Sequence, residues 1–215
     1  MKKIQIDIVS DIACPWCAIG YARLEKAMQQ LASEFEFTVQ WRAFELTPDH
    51  SGEGEPILPA LAKKYGRSEE EMRANQAHLI TVAKDLGLNF EKIQQRLTCN
   101  TFNAHRLVKW AGDQGKQTAM KQAFFEVYFG EAKNVSDQDV LLSCVESIGL
   151  DPIKAKQVLE SDQYADLVRE EEATYQQAGV TSVPAFIINN KHLISGAQEP
   201  DTFVEILREI SEKSD

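Results

Sequence analysis

The chain has little of several things, and each shortage narrows its use. No apolar run approaches the length needed to cross a bilayer, which excludes a helical membrane span. Basic residues are outnumbered. Against 33 Asp and Glu stand 23 Lys and Arg, and the net charge of −10 argues against nucleic acid or an anionic membrane as a partner. Internal repeats and low-complexity linkers are missing. Cysteine is scarce: of four in 215 residues only Cys14 and Cys17 are close together, while Cys99 and Cys144 stand alone. A tetrahedral zinc site usually wants a second close pair, so it would have to recruit His78, His105 or His192 by coincidence of folding, and no metal is expected. The N-terminus has the basic start of a secretory signal, but Gln5, Asp7, Ser10 and Asp11 interrupt the apolar stretch that should follow. The expected location is the cytoplasm, where a close cysteine pair is more often catalytic than structural.

What is there is ordinary for a soluble chain, with 43% hydrophobic and 26% charged residues over a length that suits one large domain, or one domain carrying an insertion. The stretch that organises it is Cys14-Pro15-Trp16-Cys17. Upstream, Ile4, Ile6 and Ile8 alternate with Gln5 and Asp7 as in a half-buried strand. Downstream, Ile19, Leu24, Ala27, Met28 and Leu31 recur at helical spacing. Pro15 suits a first helical position, where its missing N–H costs nothing. Cys14 thus falls at a helix start, where unpaired N–H groups and the helix dipole favour a thiolate. A thiolate is the attacking species in disulfide exchange. Cys17 lies one turn later on the same face, placed to resolve a mixed disulfide on Cys14. A purely structural disulfide is the plainer reading of the same pair.

Phe35, Phe37, Val39 and Trp41 alternate as a second strand, and strand–helix–strand implies a right-handed crossover and a parallel pair. Residues 47–56 read as a loop. From there to Ala178 the patterns are helical. Ser68 and Glu71 form a capping box for a helix to about Leu86. Further helices are expected over 104–111, 118–129, Asp137 to Ile148, from Pro152, and 161–178. Strand signals return at Val183–Ile188, with a turn at Asn189-Asn190 and a return strand His192–Ser195, before a last helix from Pro200. The fold class is α/β: a thioredoxin frame, with a central mixed sheet flanked by helices, and a large all-helical insertion. Its expected parts are 1–50 and 171–215 for the frame and 51–170 for the insertion.

Cys14-Pro15-Trp16-Cys17 at a strand–helix junction, with Gly179-Val180-Thr181-Ser182-Val183-Pro184 before a strand, resembles the thioredoxin-fold oxidoreductases of the DsbA type over essentially the whole chain. Cys-Pro-Trp-Cys-Ala-Ile-Gly and the segment Asn100–Arg106 resemble the cytoplasmic FrnE-like branch. The resemblance implies a cis Val183–Pro184 peptide beside the cysteines, shaping a docking edge for substrate. It implies partners that are protein or small-molecule thiols and disulfides, with the exchangeable disulfide itself as the redox group, no organic cofactor, and glutathione as a candidate co-substrate. Pro15 and Trp16 would line the docking surface, though Trp16 equally suits packing against the insert. His105 is either site-lining or a satisfied helix histidine. The buried acid that moves protons at the resolving cysteine would be Asp7, with Asp11 competing for the role. Monomer and homodimer are both compatible with the acidic surface. Kappa-type glutathione transferases and 2-hydroxychromene-2-carboxylate isomerases resemble the same architecture, but typically carry serine where Cys14 stands and need no resolving thiol. A glutathione-dependent transferase or isomerase, and a non-catalytic module presenting the groove around Trp16, are therefore the rival readings.

Overall fold

The computed structural model describes residues 1–51 and 53–213. Strand β1 (Lys2–Ser10) leads through a short loop into helix α1 (Pro15–Gln30), which returns to β2 (Phe35–Ala43). Helices α2 (Ile57–Tyr65), α3 (Glu69–Asp85), α4 (Phe102–Gly112), α5 (Gln117–Phe125), α6 (Gln138–Ser147), α7 (Pro152–Leu159) and α8 (Ala165–Gln177) follow. The chain then closes with β3 (Ala185–Ile188), β4 (His192–Ser195) and α9 (Pro200–Glu212). The sheet order is β2-β1-β3-β4, with β1 and β2 parallel and the other pairs antiparallel. This is the expected mixed sheet of a thioredoxin frame, with the helical run between β2 and β3.

Local chemistry accounts for most boundaries. Ser68 and Glu71 form the reciprocal capping box that opens α3. Asp137 and Asp151 cap α6 and α7 with their side chains. Asn189 and Asn190 both take left-handed backbone, φ 51° and 55°, and Lys191 N–H donates to Ile188 C=O at 3.0 Å, the pattern of a type I′ turn. Three expectations shift. The 161–178 helix begins only at Ala165, because Tyr164 is left-handed at φ 63° and cannot propagate helix. β3 starts at Ala185, since Pro184 has no N–H to enter the ladder. The 118–129 helix gives way to a π-helical turn over Glu126–Gly130, which carries Tyr128 to Leu97 C=O (2.8 Å) and Phe129 onto Phe90.

One large core joins frame and insert. Ile6 and Ile8 of β1, Cys17, Ile19 and Leu24 of α1, Trp41 of β2 and Phe124 of α5 belong to a single buried cluster. The exposed edge of β2 is closed by side chains of the helices. Gln117 accepts from Trp41 N–H (2.9 Å), Lys109 donates to Trp41 C=O (2.7 Å), and Glu171 accepts from Ala43 N–H (3.0 Å). An open strand edge is a template for pairing with another chain, and here it is covered.

Candidate active site

The junction of β1 and α1 presents the cysteines as the sequence implies. Cys14 is the N-cap of α1, extended at φ −94° and ψ 110°, and Pro15 occupies the first turn. Cys14 N–H closes on Asp11 C=O (3.3 Å), and Cys17 N–H on Cys14 C=O (3.1 Å). Both cysteines are free thiols. Cys14 retains 5% exposure and Cys17 none. Trp16, between them, is 38% exposed. Across the site the Val183–Pro184 peptide is cis, and the Cys14 thiol donates to Val183 C=O at 3.7 Å. Gly20 allows this approach. A Cβ there would stand 3.1 Å from both Pro184 Cγ and Phe186 Cζ. Burial pushes the Cys17 thiol well above its ordinary range, and the hydrogen bond and charge of Cys14 add to the effect.

Beneath the loop lies a buried polar layer. Asp11 accepts from Leu46 N–H (2.8 Å) and lies 3.3 Å from His105 Nε2, which is 3.0 Å from Phe44 C=O. Both neighbours of Nε2 are acceptors, so that nitrogen carries the proton. Burial would raise Asp11, but the hydrogen bonds from His105, Leu46 and Thr101 outweigh it and hold the acid below its usual range. Burial holds His105 below the usual imidazole range, helped by the charge of Lys121. The pair is therefore a carboxylate braced by a neutral imidazole. His105 is sealed from solvent and supports the loop, so the surface a substrate can reach does not include it.

Asp7 is also corrected. Side chains alternate along β1, so Asp7 faces away from the Ile6 and Ile8 side on which α1 packs. Its carboxylate is held by Arg42 (2.6 Å) and Gln5 (2.9 Å), in a buried network that continues from Arg42 to Glu171 and Lys109. It does not reach the cysteines; Asp11 lies on their side.

Besides Lys109, the buried cations Lys121 and Arg96 escape sequence reasoning. Lys121 of α5 is fully buried, donates to Ser10 C=O (3.4 Å) and lies over the Trp41 and Phe125 rings. Burial lowers it to about 8. Arg96 stacks on Tyr128 and Phe129, bonds Gln76 and Ile93 C=O, and leaves its Nε–H without a partner. The signal for Lys121 was its position among Met120, Phe124 and Phe125, a lysine on an apolar helical face. Burial raises the Cys99 and Cys144 thiols to about 12 each; Cys99 lies beside Tyr128, near enough to Asp11 and Arg96 to feel their charges, and Cys144 stands away from them. Among the described residues no three His, Cys, Asp or Glu side chains converge as a metal-ligand set.

A four-stranded mixed sheet, a dithiol at the first helix and a cis-proline turn facing it define a thioredoxin-fold protein. The family model described as the DSBA-like thioredoxin domain matches residues 5–208, and the chain belongs to that family. It is 29% identical to YwbO of Bacillus subtilis, described as uncharacterised, over 214 residues and 98% of both chains. A solved structure from Streptomyces coelicolor, described as a probable DsbA oxidoreductase, is 34% identical and superposes with a TM-score of 0.90, over 96% of this chain and 89% of that one. The cytosolic disulfide reductase DsbM of Pseudomonas aeruginosa, solved with GSH, shares the fold at 16% identity and a TM-score of 0.65, over 97% and 99% of the two chains.

Proposed function

We propose that the protein is a thiol–disulfide oxidoreductase of the FrnE-like, cytoplasmic kind, exchanging disulfides of proteins or small molecules through Cys14 and Cys17, with glutathione as co-substrate. The observation that carries this is the pairing of two free thiols at one helix start: Cys14 keeps a sliver of exposure, 5%, with its sulfur on Val183 C=O, and Cys17 is fully sealed one turn below. As thiolate, Cys14 attacks a substrate disulfide, forming a mixed disulfide and expelling one substrate thiolate, which takes up a proton. Cys17 then loses its proton and attacks Cys14 Sγ. The Cys14–Cys17 disulfide forms, the second substrate thiol leaves, and two electrons have passed to the substrate. Two molecules of glutathione returning two electrons restore the dithiol and leave as the disulfide. Run backwards, the same steps oxidise a substrate dithiol. Pro184, having no N–H, leaves the edge at Val183 open to an extended substrate segment, and exposed Trp16 supplies apolar contact.

The test is equilibration in graded glutathione buffers with thiol trapping at Cys14 and Cys17. A reversible two-electron transition is expected. A midpoint near about −270 mV makes the protein a reductant and one near about −120 mV an oxidant. Failure of a Cys14–Cys17 disulfide to form at any ratio removes the exchange reading. Sedimentation of the same sample separates monomer from homodimer.

A further inference from the structure

Four consecutive residues at the end of β2 are tied down by three different elements. Glu171 of α8 holds Ala43 N–H (3.0 Å), and His105 of α4 holds Phe44 C=O (3.0 Å). Arg169 of α8 holds the Glu45 carboxylate (2.5 Å), and Asp11 of the cysteine loop holds Leu46 N–H (2.8 Å). The C=O of the same Asp11 receives Cys14 N–H (3.3 Å). Bonded contacts therefore run without a break from Arg169 to the backbone of Cys14. One fastening in this clip is unlike the others. Arg169 Nη1 lies between two carboxylates, Glu45 at 2.5 Å and Glu172 at 2.8 Å, while its guanidinium rests on the Phe102 ring at 4.0 Å. The Oε1 atoms of both acids are buried without a partner among the described residues. A single cation thus serves two buried acids, and a buried carboxylate short of partners takes up a proton more readily than it stays charged.

We propose that Glu45, Glu172 and Arg169 form a proton-linked latch on the cysteine loop. With a proton on Glu45, one carboxylate and one guanidinium remain, and the clip is shut. When that proton leaves for solvent, two carboxylates compete for Arg169, Glu45 turns toward water, and the Ala43–Leu46 segment lets go of Asp11. The charged groups around the latch come from three elements. Burial raises Glu45; Arg169 on α8 opposes the rise, and Glu172 on α8 and Asp11 on the loop add to it. On α4, His105 feels the charge of Glu172 but is kept neutral by burial. Lys109 is committed to Glu171, and Arg106 turns to the carbonyls of Val158, Ser161 and Gln163. The latch matters because Cys14 is only 5% exposed, so the loop that carries it has to move before its sulfur meets a substrate disulfide. That last link rests on the exchange reading above; the latch itself does not.

The experiment is amide hydrogen exchange of the whole reduced protein, read residue by residue by NMR between about pH 5.5 and about pH 8. An acid raised from 4.5 to about 7 in the closed form makes opening easier as pH climbs, by up to about three-hundredfold once both forms have titrated. After correction for the intrinsic rate, protection of the Ala43 and Leu46 amides in the wild type should fall at least about tenfold more than that of the β1 amides. In Glu45→Gln, neutral at every pH, their protection should stay level with that of β1. In Glu172→Gln, Glu45 has Arg169 to itself, and the fall should move to lower pH. No excess fall in the wild type, the same fall in Glu45→Gln, or an unmoved profile in Glu172→Gln overturns the latch. Alkylation of Cys14 by iodoacetamide reads its link to the site. The ratio of the wild-type rate to that of Glu45→Gln should climb as pH rises through about 7, and a level or falling ratio overturns that link. Neither measurement involves turnover, so a Cys14–Cys17 disulfide that fails to form in glutathione buffers removes the exchange reading and leaves the latch to stand or fall on its own.

Discussion

Glu45 shows how much a single side chain near the site depends on its surroundings. One carboxylate oxygen bonds Arg169 (2.5 Å), which also holds Glu172 (2.8 Å) and stacks on Phe102, while the second oxygens of Glu45 and Glu172 are buried without partners. Burial pushes Glu45 up to about 7, with Arg169 opposing and Glu172 adding to the rise. The folded state thus binds a proton that the unfolded chain has already released above about pH 4.5. Stability from this group is complete below that value and is lost as pH rises through about 7. His105 works in the opposite sense, since its lowered folded value favours folding as pH rises through the ordinary imidazole range. The informative quantity is therefore the difference between wild type and Glu45→Gln in urea unfolding. Relative to the variant, the wild type should lose roughly 2–3 kcal/mol between about pH 5 and about pH 8. Parallel pH profiles would refute this. At this scale Cys14, Cys17 and Pro184 were legible because their signals are local: a dipeptide spacing, a helix start, a strand start. Asp7 was misread because its face depends on where α1 packs, which alternation alone does not say.

Helix α1 carries the site as a unit, so its position against Pro184 matters more than any one bond. Gly20 is the contact point. A methyl group there meets the rigid ring of Pro184 and the Phe186 ring, itself packed edge-on against Phe203 (5.0 Å). The neighbours would have to give by a few tenths of an ångström, and α1 would move with Cys14 at its tip. Gly20→Ala should cost about 1–3 kcal/mol in urea unfolding, as overpacked cores do, and slow disulfide exchange. A variant with unchanged stability and unchanged exchange rate would show that the close approach is not used. The helices themselves were largely readable, since the capping box of α3 and the aspartate caps of α6 and α7 are short-range chemistry. The π-helical turn after α5 was not, because its cause is the distant docking of Tyr128 on Leu97 and Phe129 on Phe90.

At the level of the molecule, frame and insert are fastened by a buried ionic layer. Glu171 of α8 bonds Arg42 of β2, Lys109 of α4 and the Ala43 N–H. Glu171→Ala would leave Lys109 and Arg42 facing each other and strip a strand-edge N–H of its partner. Removing one member of a buried pair typically costs about 3–5 kcal/mol, and urea unfolding should show a loss of that size, with sheet and helices still melting together because they share one core. A loss below about 1 kcal/mol, or two separated transitions, would contradict the view of a single fastened unit.

By itself the amino-acid order determined the alternation of strands, the helix starts and stops, the close cysteine pair at a helix N-terminus and the frame that surrounds it. Each of these is set by neighbours within about a turn or a hairpin. Only the tertiary structure decided which polar residues lie behind the cysteines. Asp11 is local to the loop, but His105 and Lys121 arrive from the insert, 94 and 111 residues away from their partners, and Arg96 is held in place by aromatic faces from a different segment. Buried charge is governed by desolvation and by whatever side chains converge from distant segments, and that convergence is a property of packing that no local pattern encodes.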